Sequence, residues 1–311
     1  MMMSEQIELS VVLPVFNEEM VLPSLFERLS SALPMVTKAY EVIFVDDGSR
    51  DRSLDLLREI HEKDPRFKYL SFSRNFGHQT AISAGLQETR GDIVAVMDAD
   101  LQDPPEVLPS FIEKLREGYE VVYAIRTRRK ESALKRAMYS AFYRILQFLS
   151  DIPIPLDAGD FCVMDRKIVE LLGQMPERNR FVRGIRSWVG FRQVGMAYER
   201  QARQAGEPKY TFRKLLKLAF DGIISFSFMP LRLATMAGFI VSGFAFLYGI
   251  ATLFQKLFTT TTVRGYSTTV ILICFIGGVQ LITVGILGEY LGRIYDEVKK
   301  RPLFVLKDKG L

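Results

Sequence analysis

Two long stretches without a formal charge, residues 233–255 and 265–288, constrain this 311-residue chain more than any other feature. Each exceeds the roughly 20 helical residues needed to cross a hydrocarbon core about 30 Å thick. A buried core helix is the alternative, but such helices rarely run so long, and tandem pairs are rarer. Two membrane-spanning helices are therefore expected. Arg213, Lys214, Lys217 and Arg232 precede the first stretch, and Arg293, Lys299, Lys300, Arg301 and Lys307 follow the second; the connecting loop carries only Lys256 and Arg264. Lys and Arg collect on cytoplasmic flanks, so both termini and the large N-terminal part are expected in the cytoplasm, with multi-pass anchorage in the cell membrane. Between Tyr210 and Met229, Phe212, Leu215, Leu216, Ala219 and Ile223 follow helical spacing while Arg213, Lys214 and Lys217 take another face. That is the pattern of a helix lying in the headgroup layer of a bilayer.

The remaining sequence is ample for a packed domain. Apolar residues make up 48% beside 25% charged ones, which excludes a disordered chain. Cys162 and Cys274, with only His61 and His78 to help, build neither a disulfide framework nor a structural zinc site, and a reducing compartment follows. Residues 1–8 carry two acids, and the apolar run Leu9 to Val15 is short and broken by Ser10 and Pro14, so it reads as a first strand rather than a leader. Strand-like runs at 9–15, 41–45, 68–72, 93–97 and 121–124 alternate with helical spacing at 20–33, 53–63, 78–89 and 104–117. The expected fold class is α/β, a mostly parallel sheet with helices on both faces. The expected divisions are a cytoplasmic domain over 1–208, an interfacial helix over 209–230, spans over 231–257 and 264–289, and a basic cytoplasmic segment over 290–311.

Ligands of open α/β sheets sit beyond the carboxyl ends of the strands. Three such ends carry distinctive residues: Asn17-Glu18, Asp46-Asp47-Gly48-Ser49 and Asp98-Ala99-Asp100. No G-x-G-x-x-G follows the first strand and no G-x-x-x-x-G-K-[ST] occurs, which argues against a dinucleotide dehydrogenase and a P-loop NTPase. A site rich in carboxylates repels a pyrophosphate unless a divalent cation lies between them. Mg²⁺ or Mn²⁺ suits that place, held by Asp98 and Asp100 with Gln102 as a neutral oxygen donor. Either acidic group taken alone also reads as a turn or a helix cap. The specificity lies in their combination and order.

These segments, Leu13-Pro14-Val15-Phe16-Asn17-Glu18, Val45-Asp46-Asp47-Gly48-Ser49 and Asp98-Ala99-Asp100-Leu101-Gln102-Asp103-Pro104-Pro105-Glu106, resemble glycosyltransferase family 2 and its GT-A, Rossmann-like fold. More closely, the chain resembles the polyprenyl-phosphate glycosyltransferases. Ser73-Arg74-Asn75-Phe76-Gly77-His78, Lys209-Tyr210 and Asp221-Gly222-Ile223-Ile224-Ser225-Phe226-Ser227 before two spans are similar to the bactoprenol glucosyltransferase and aminoarabinose transferase branch. The resemblance implies inverting, metal-dependent transfer of one hexose, with glucose from UDP-glucose as leading donor, to undecaprenyl phosphate. GDP-mannose and modified-pentose donors are the alternatives within the group. It further implies that Pro14, Phe16 and Glu18 line the base pocket, that Asp46 meets the base edge, and that Asp47 reaches the ribose or fixes the loop. Asp98 would meet nucleotide and metal, with Asp100 and Gln102 completing the metal shell. Arg126, Arg128, Arg129, Lys135 and Arg136 would hold the acceptor phosphate, a role suited to bidentate guanidinium groups, although such a run also reads as a solvated basic face.

Asp157, in Asp157-Ala158-Gly159-Asp160-Phe161, resembles the position of the family's acidic catalytic residue, and Asp160 is a second candidate in the same segment. Processive relatives carry Q-x-x-R-W and more spans. The nearest segment here, Arg183-Gly184-Ile185-Arg186-Ser187-Trp188, lacks the Gln and has an extra residue, which favours single transfer; Trp188 would stack on the sugar or sit in the core. The expected partners are thus a UDP-sugar, a polyprenyl phosphate and the lipid bilayer, with no nucleic acid. Gly277-Gly278, Gly285 and Gly288 allow close packing in a homo-oligomer or against the first span. A binding subunit serving a flippase or a second transferase is the competing class, but it has no chemical need for Asp98, Asp100 and Gln102 together.

Overall fold

The computed structural model describes residues 6–126, 158–178, 180–198, 229–258 and 265–311. Every residue of β1 (Leu9–Val15) and β2 (Tyr40–Asp46) is buried, as expected of parallel strands covered on both faces. Between them runs α1 (Leu22–Ala32), with a Pro in its first turn where a missing N–H costs nothing. Next come α2 (Ser53–Lys63), β3 (Phe67–Phe72), α3 (His78–Glu88), β4 (Ile93–Val96), α4 (Leu108–Arg116) and β5 (Val121–Arg126). Each follows the sequence alternation within a few residues. Gly118, at φ +97°, closes α4 in a conformation that glycine adopts without steric cost.

Of the later elements, α7 (Met229–Phe258) and α8 (Tyr266–Val298) coincide with the two apolar stretches, whereas β6 (Ala158–Asp165), α5 (Arg166–Gln174), α6 (Val182–Trp188), β7 (Gln193–Tyr198) and β8 (Leu306–Gly310) were not legible in advance. The sheet order is β7-β5-β6-β4-β1-β2-β3-β8. β3, β2, β1 and β4 run parallel, whereas β6 inserts antiparallel between β4 and β5. Leu25 and Leu29 of α1, Leu57 of α2 and Phe111 of α4 share one core with β1 and β2. Ala81 and Ala84 of α3 pack with Ile43, Val45, Leu70 and Phe72 in another. The sheet therefore has helices on both faces, the arrangement expected from the sequence.

The chain forms two units, and each stands by itself. The first holds the sheet and its helices; the second contains α7 and α8, which pack against each other. Both are long and apolar enough to cross a membrane. Phe239, Phe244, Phe246, Leu281 and Ile282 are all exposed, so neither is the buried core helix that the sequence also allowed. The expected interfacial helix over 209–230 lies outside the described residues except at its last two positions.

The C-terminal segment, expected only to be basic, has structure of its own: α8 continues to Val298, and residues 301–311 belong to the first unit. β8 pairs antiparallel with β3, placing Gly310 opposite Tyr69. A Cβ at Gly310 would lie 2.5 Å from the Tyr69 ring, which explains the glycine. Arg58 donates to Asp308 from Nε at 2.9 Å and Nη2 at 2.6 Å, and the Phe304 ring stacks on Phe72 with centroids 5.0 Å apart. Short apolar runs near charges, such as Leu303 to Leu306, carry little strand signal, so sequence patterning misses them. Phe304→Ala should lower the stability of the sheet unit by about 2 kcal/mol, roughly half the cost of truncating a fully buried Phe. Chemical denaturation followed by circular dichroism measures the shift.

Candidate active site

The loops after β1 and β2 are stitched together at the carboxyl edge of the sheet. The Asn17 N–H donates to Ser49 Oγ at 2.9 Å, and Asn17 Oδ1 accepts from the Arg50 N–H at 2.9 Å. The Glu18 N–H donates to Ser53 Oγ at 2.9 Å. Asn17 adopts φ +54°, an uncommon conformation that Asn tolerates better than most residues. Pro14 is buried within β1, registered against Val45, while Phe16 and Glu18 are half-buried above it.

Asp46 and Asp47 are buried and already engaged. Asp46 accepts from the Ser49 N–H at 2.9 Å and from the Ser71 hydroxyl at 2.8 Å. Asp47 accepts from the backbone N–H of Phe76 at 2.7 Å and of Gly77 at 3.0 Å, and from Asn75 Nδ2 at 2.8 Å. Burial pushes the Asp47 carboxyl above its usual range, against the opposing pull of the two backbone donors. Of the two roles open to Asp47, this geometry is loop fixing. Gly48, at φ +69°, lets that loop close: a Cβ there would lie 2.5 Å from the Arg74 carbonyl carbon.

The third strand end differs. Asp98 is 24% exposed at its side chain, whereas Asp100 is buried and accepts from the Gln102 N–H at 3.1 Å. Leu101 between them takes φ +56° and is buried, a costly conformation for a branched side chain that turns the backbone sharply at this point. Two carboxylates and an amide oxygen are the hard donors that Mg²⁺ or Mn²⁺ prefers. Among the described residues no group of three or more His, Cys, Asp or Glu could hold a metal by itself. The donor set therefore fits a cation whose shell is completed by substrate oxygens.

Sheet register brings Asp160, the second acidic candidate, to side chains that sequence assigned no role. β6 pairs antiparallel with β4, Val96 opposite Cys162, so Asp160 comes beside Asp98 just beyond the paired residues. His78, the first residue of α3, stands between them: its Nε2 is 3.4 Å from Asp160 Oδ2 and 3.6 Å from Asp98 Oδ1. Arg183 of α6 grips Asp160 from Nε at 2.8 Å and Nη2 at 3.1 Å. Gln79 Nε2 also donates to Asp160, at 3.3 Å, and Gln79 Oε1 accepts from the Val182 N–H at 2.8 Å. Burial alone would lower the His78 pKa, but the hydrogen bond to Asp160 and the charges of Asp98 and Asp160 raise it to about 9. Burial likewise works to raise the Asp160 pKa, yet the Arg183 charge and His78 hold it well below the usual range. His78 lies in a segment quoted for its resemblance and Arg183 in one quoted for its departure from the processive pattern, but their convergence depends on the antiparallel insertion of β6.

Trp188 is 63% exposed, which removes the core reading and leaves its ring available. Arg186 is the buried member of that segment, its guanidinium carbon 5.5 Å from the Tyr123 ring centre. Cys162 is a buried free thiol whose pKa burial pushes up. Asp157, Arg128, Arg129, Lys135 and Arg136 lie outside the described residues, and Arg126 is described only as the backbone end of β5.

His78 gains its proton affinity on folding, so its contribution to stability is complete below its unfolded value of 6.5 and is lost as pH rises through about 9. Only one other histidine, His61, is present. NMR of ¹³C-labelled histidine should therefore resolve His78 as an imidazolium at neutral pH, titrating near 9. Asp160→Asn should move that titration down sharply, because the burial remains after the partner charge is gone.

Known proteins resemble this chain over nearly its whole length. The model of glycosyl transferase family 2 matches residues 10–173, and the model of the GtrB C-terminal hairpin matches residues 229–294. The uncharacterized glycosyltransferase YkcC of Bacillus subtilis (strain 168) is 49% identical, covering 98% of this chain and 95% of its own length. The bactoprenol glucosyl transferase of Shigella phage SfII is 42% identical over 96% of this chain and 97% of its own. A prophage bactoprenol glucosyl transferase homolog of Escherichia coli (strain K12) is 40% identical over 96% and 98%. With family models matching both the sheet domain and the apolar hairpin, the chain belongs to glycosyl transferase family 2 and is a glycosyltransferase.

Proposed function

We propose that this enzyme transfers one glucose from UDP-glucose to a polyprenyl phosphate at the cytoplasmic face of the membrane, with inversion at the anomeric carbon. The observation that carries this reading is likeness over nearly the whole chain, hairpin included, to proteins named as bactoprenol glucosyl transferases. Positive flanks on the two candidate spans support an orientation with both termini in the cytoplasm.

On this reading Pro14, Phe16 and Glu18 form the base pocket, with Asp46 and Asp47 holding its floor and edge. Asp98, Asp100 and Gln102 would hold Mg²⁺ or Mn²⁺, which when bound neutralises charge on the departing nucleoside diphosphate. The acceptor simplifies the chemistry. A phosphate monoester has a second pKa of about 6, so it is largely dianionic at neutral pH and already nucleophilic. Residues that position it then matter more than a strong general base. Arg126, Arg128, Arg129, Lys135 and Arg136 are assigned to the acceptor phosphate, and Asp157 to orienting the sugar or accepting a proton. Trp188, exposed at the end of α6, is suited to stack on the sugar ring.

The test is transfer by the full-length protein in detergent, with undecaprenyl phosphate, Mg²⁺ or Mn²⁺ and a panel of labelled UDP- and GDP-sugars. Label should enter the organic phase from UDP-glucose alone, and EDTA should stop it. Asp100→Asn should cut the rate by roughly 100-fold or more, several kcal/mol of lost charge stabilisation. Transfer from GDP-mannose instead would overturn the donor assignment. Unchanged transfer by the Asp100→Asn protein would overturn the metal assignment.

A further inference from the structure

We infer that His78 is a positioning residue: with Asp160 and Arg183 it forms a relay that fixes the Asp98 carboxylate for the donor's diphosphate and its cation. The inference rests on the reading above that Asp98 meets the nucleotide and metal, and it adds residues that reading does not use.

The placement of His78 is over-determined. Its helix begins after Gly77, at φ +103°, and the preceding turn is pinned because Asp47 accepts from the N–H groups of Phe76 and Gly77. The imidazole thus enters the carboxyl edge from α3, on a different element from either acid it meets. Asp98 and Asp160 converge there because β6 runs antiparallel beside β4. Two carboxylates brought together at a partly buried edge repel one another, and Asp98 is the more exposed of the two. A single Nε2 within 3.6 Å of both removes that repulsion and gives Asp98 a fixed neighbour on one side. Asp160 is in turn locked by the Arg183 fork, an arrangement that restrains orientation as well as charge. Arg183 sits on α6, which also carries Trp188. The relay therefore ties the segment assigned to the sugar to the carboxylate assigned to the diphosphate.

Partners that orient a metal-binding group from behind typically change metal affinity or activity 10- to 100-fold when removed. The experiment uses full-length protein in detergent with Mn²⁺ and UDP as probes, bound Mn²⁺ being read by electron paramagnetic resonance. His78→Ala should weaken Mn²⁺ binding in the presence of UDP by about 10-fold or more. It should also lower kcat for glucosyl transfer while leaving the KM for undecaprenyl phosphate unchanged. His78→Gln, which keeps an N–H donor of similar reach, should recover much of the loss. In the His78→Ala/Asp160→Asn double variant the losses should not add, because both changes break one relay. His78→Asn, polar but too short to reach Asp98, should match the alanine variant and carries the test if that variant fails to fold.

Mn²⁺–UDP affinity within twofold of wild type in His78→Ala or His78→Asn would overturn the inference. So would a fall in melting temperature with equal losses in every kinetic constant and no recovery in His78→Gln, which is the signature of a purely structural role. Asp98→Asn separates this failure from that of the underlying reading. If Asp98→Asn abolishes Mn²⁺–UDP binding while the His78 variants bind normally, the relay alone is refuted. If Asp98→Asn itself binds normally, the assignment of Asp98 to the cation is refuted as well.

Discussion

Negative charge gathered at one edge of the sheet is the constraint around which the sheet unit is organised. Asp46, Asp47, Asp98, Asp100 and Asp160 all lie at or just beyond strand ends there, several of them buried. Such a cluster is stable only if each carboxylate is met by donors or cations. Asp46 and Asp47 are met by backbone N–H groups, Ser71 and Asn75; Asp160 is met by Arg183, Gln79 and His78. Asp98 has a longer contact, 3.6 Å to His78, and a quarter of its side chain faces outward. The acids at the end of β2 are thereby tied into the neighbouring loops, and the D-x-D after β4 is the pair proposed to engage a cation.

How much of this was legible follows from the range of the interactions. β1 through β5 with their helices showed clear apolar periodicity, because each buries a continuous run or a stripe, and their bounds agree with the sequence to within a few residues. The two long apolar helices were equally plain. What escaped was non-local. Nothing near Asp160 in the sequence announces that its strand runs antiparallel between β4 and β5, yet that single topological fact brings Asp160 to Asp98 and gives His78 its surroundings. Asp46 shows the converse. Its place at a strand end was legible, but its burial beneath Ser49 and Ser71 was not, because that depends on β3 packing alongside.

The C-terminus alters the relation between anchor and enzyme. Charge and length alone suggested a sheet domain, a hairpin and a basic C-terminal segment. The chain leaves the sheet unit, forms α7 and α8, and returns to supply β8. The hairpin is an insertion within the chain of the sheet unit, joined to it covalently at both ends. β8 also covers the otherwise open edge of β3, and Arg58, Asp308, Phe304 and Phe72 fasten it there. An uncovered edge strand invites pairing with other chains. Using the far end of the hairpin as that cover makes completion of the sheet conditional on synthesis of both apolar helices.

The most direct test of the account is the position of the cation. A crystal of the protein grown with UDP and Mn²⁺, measured at the manganese absorption edge, reports that position from anomalous scattering alone. The account predicts one manganese peak at the carboxyl edge of the sheet, bounded by Asp98 and Asp100 on the protein side and by diphosphate oxygens on the other. A peak elsewhere, or a diphosphate bound at that edge without any cation between it and the two carboxylates, would contradict it.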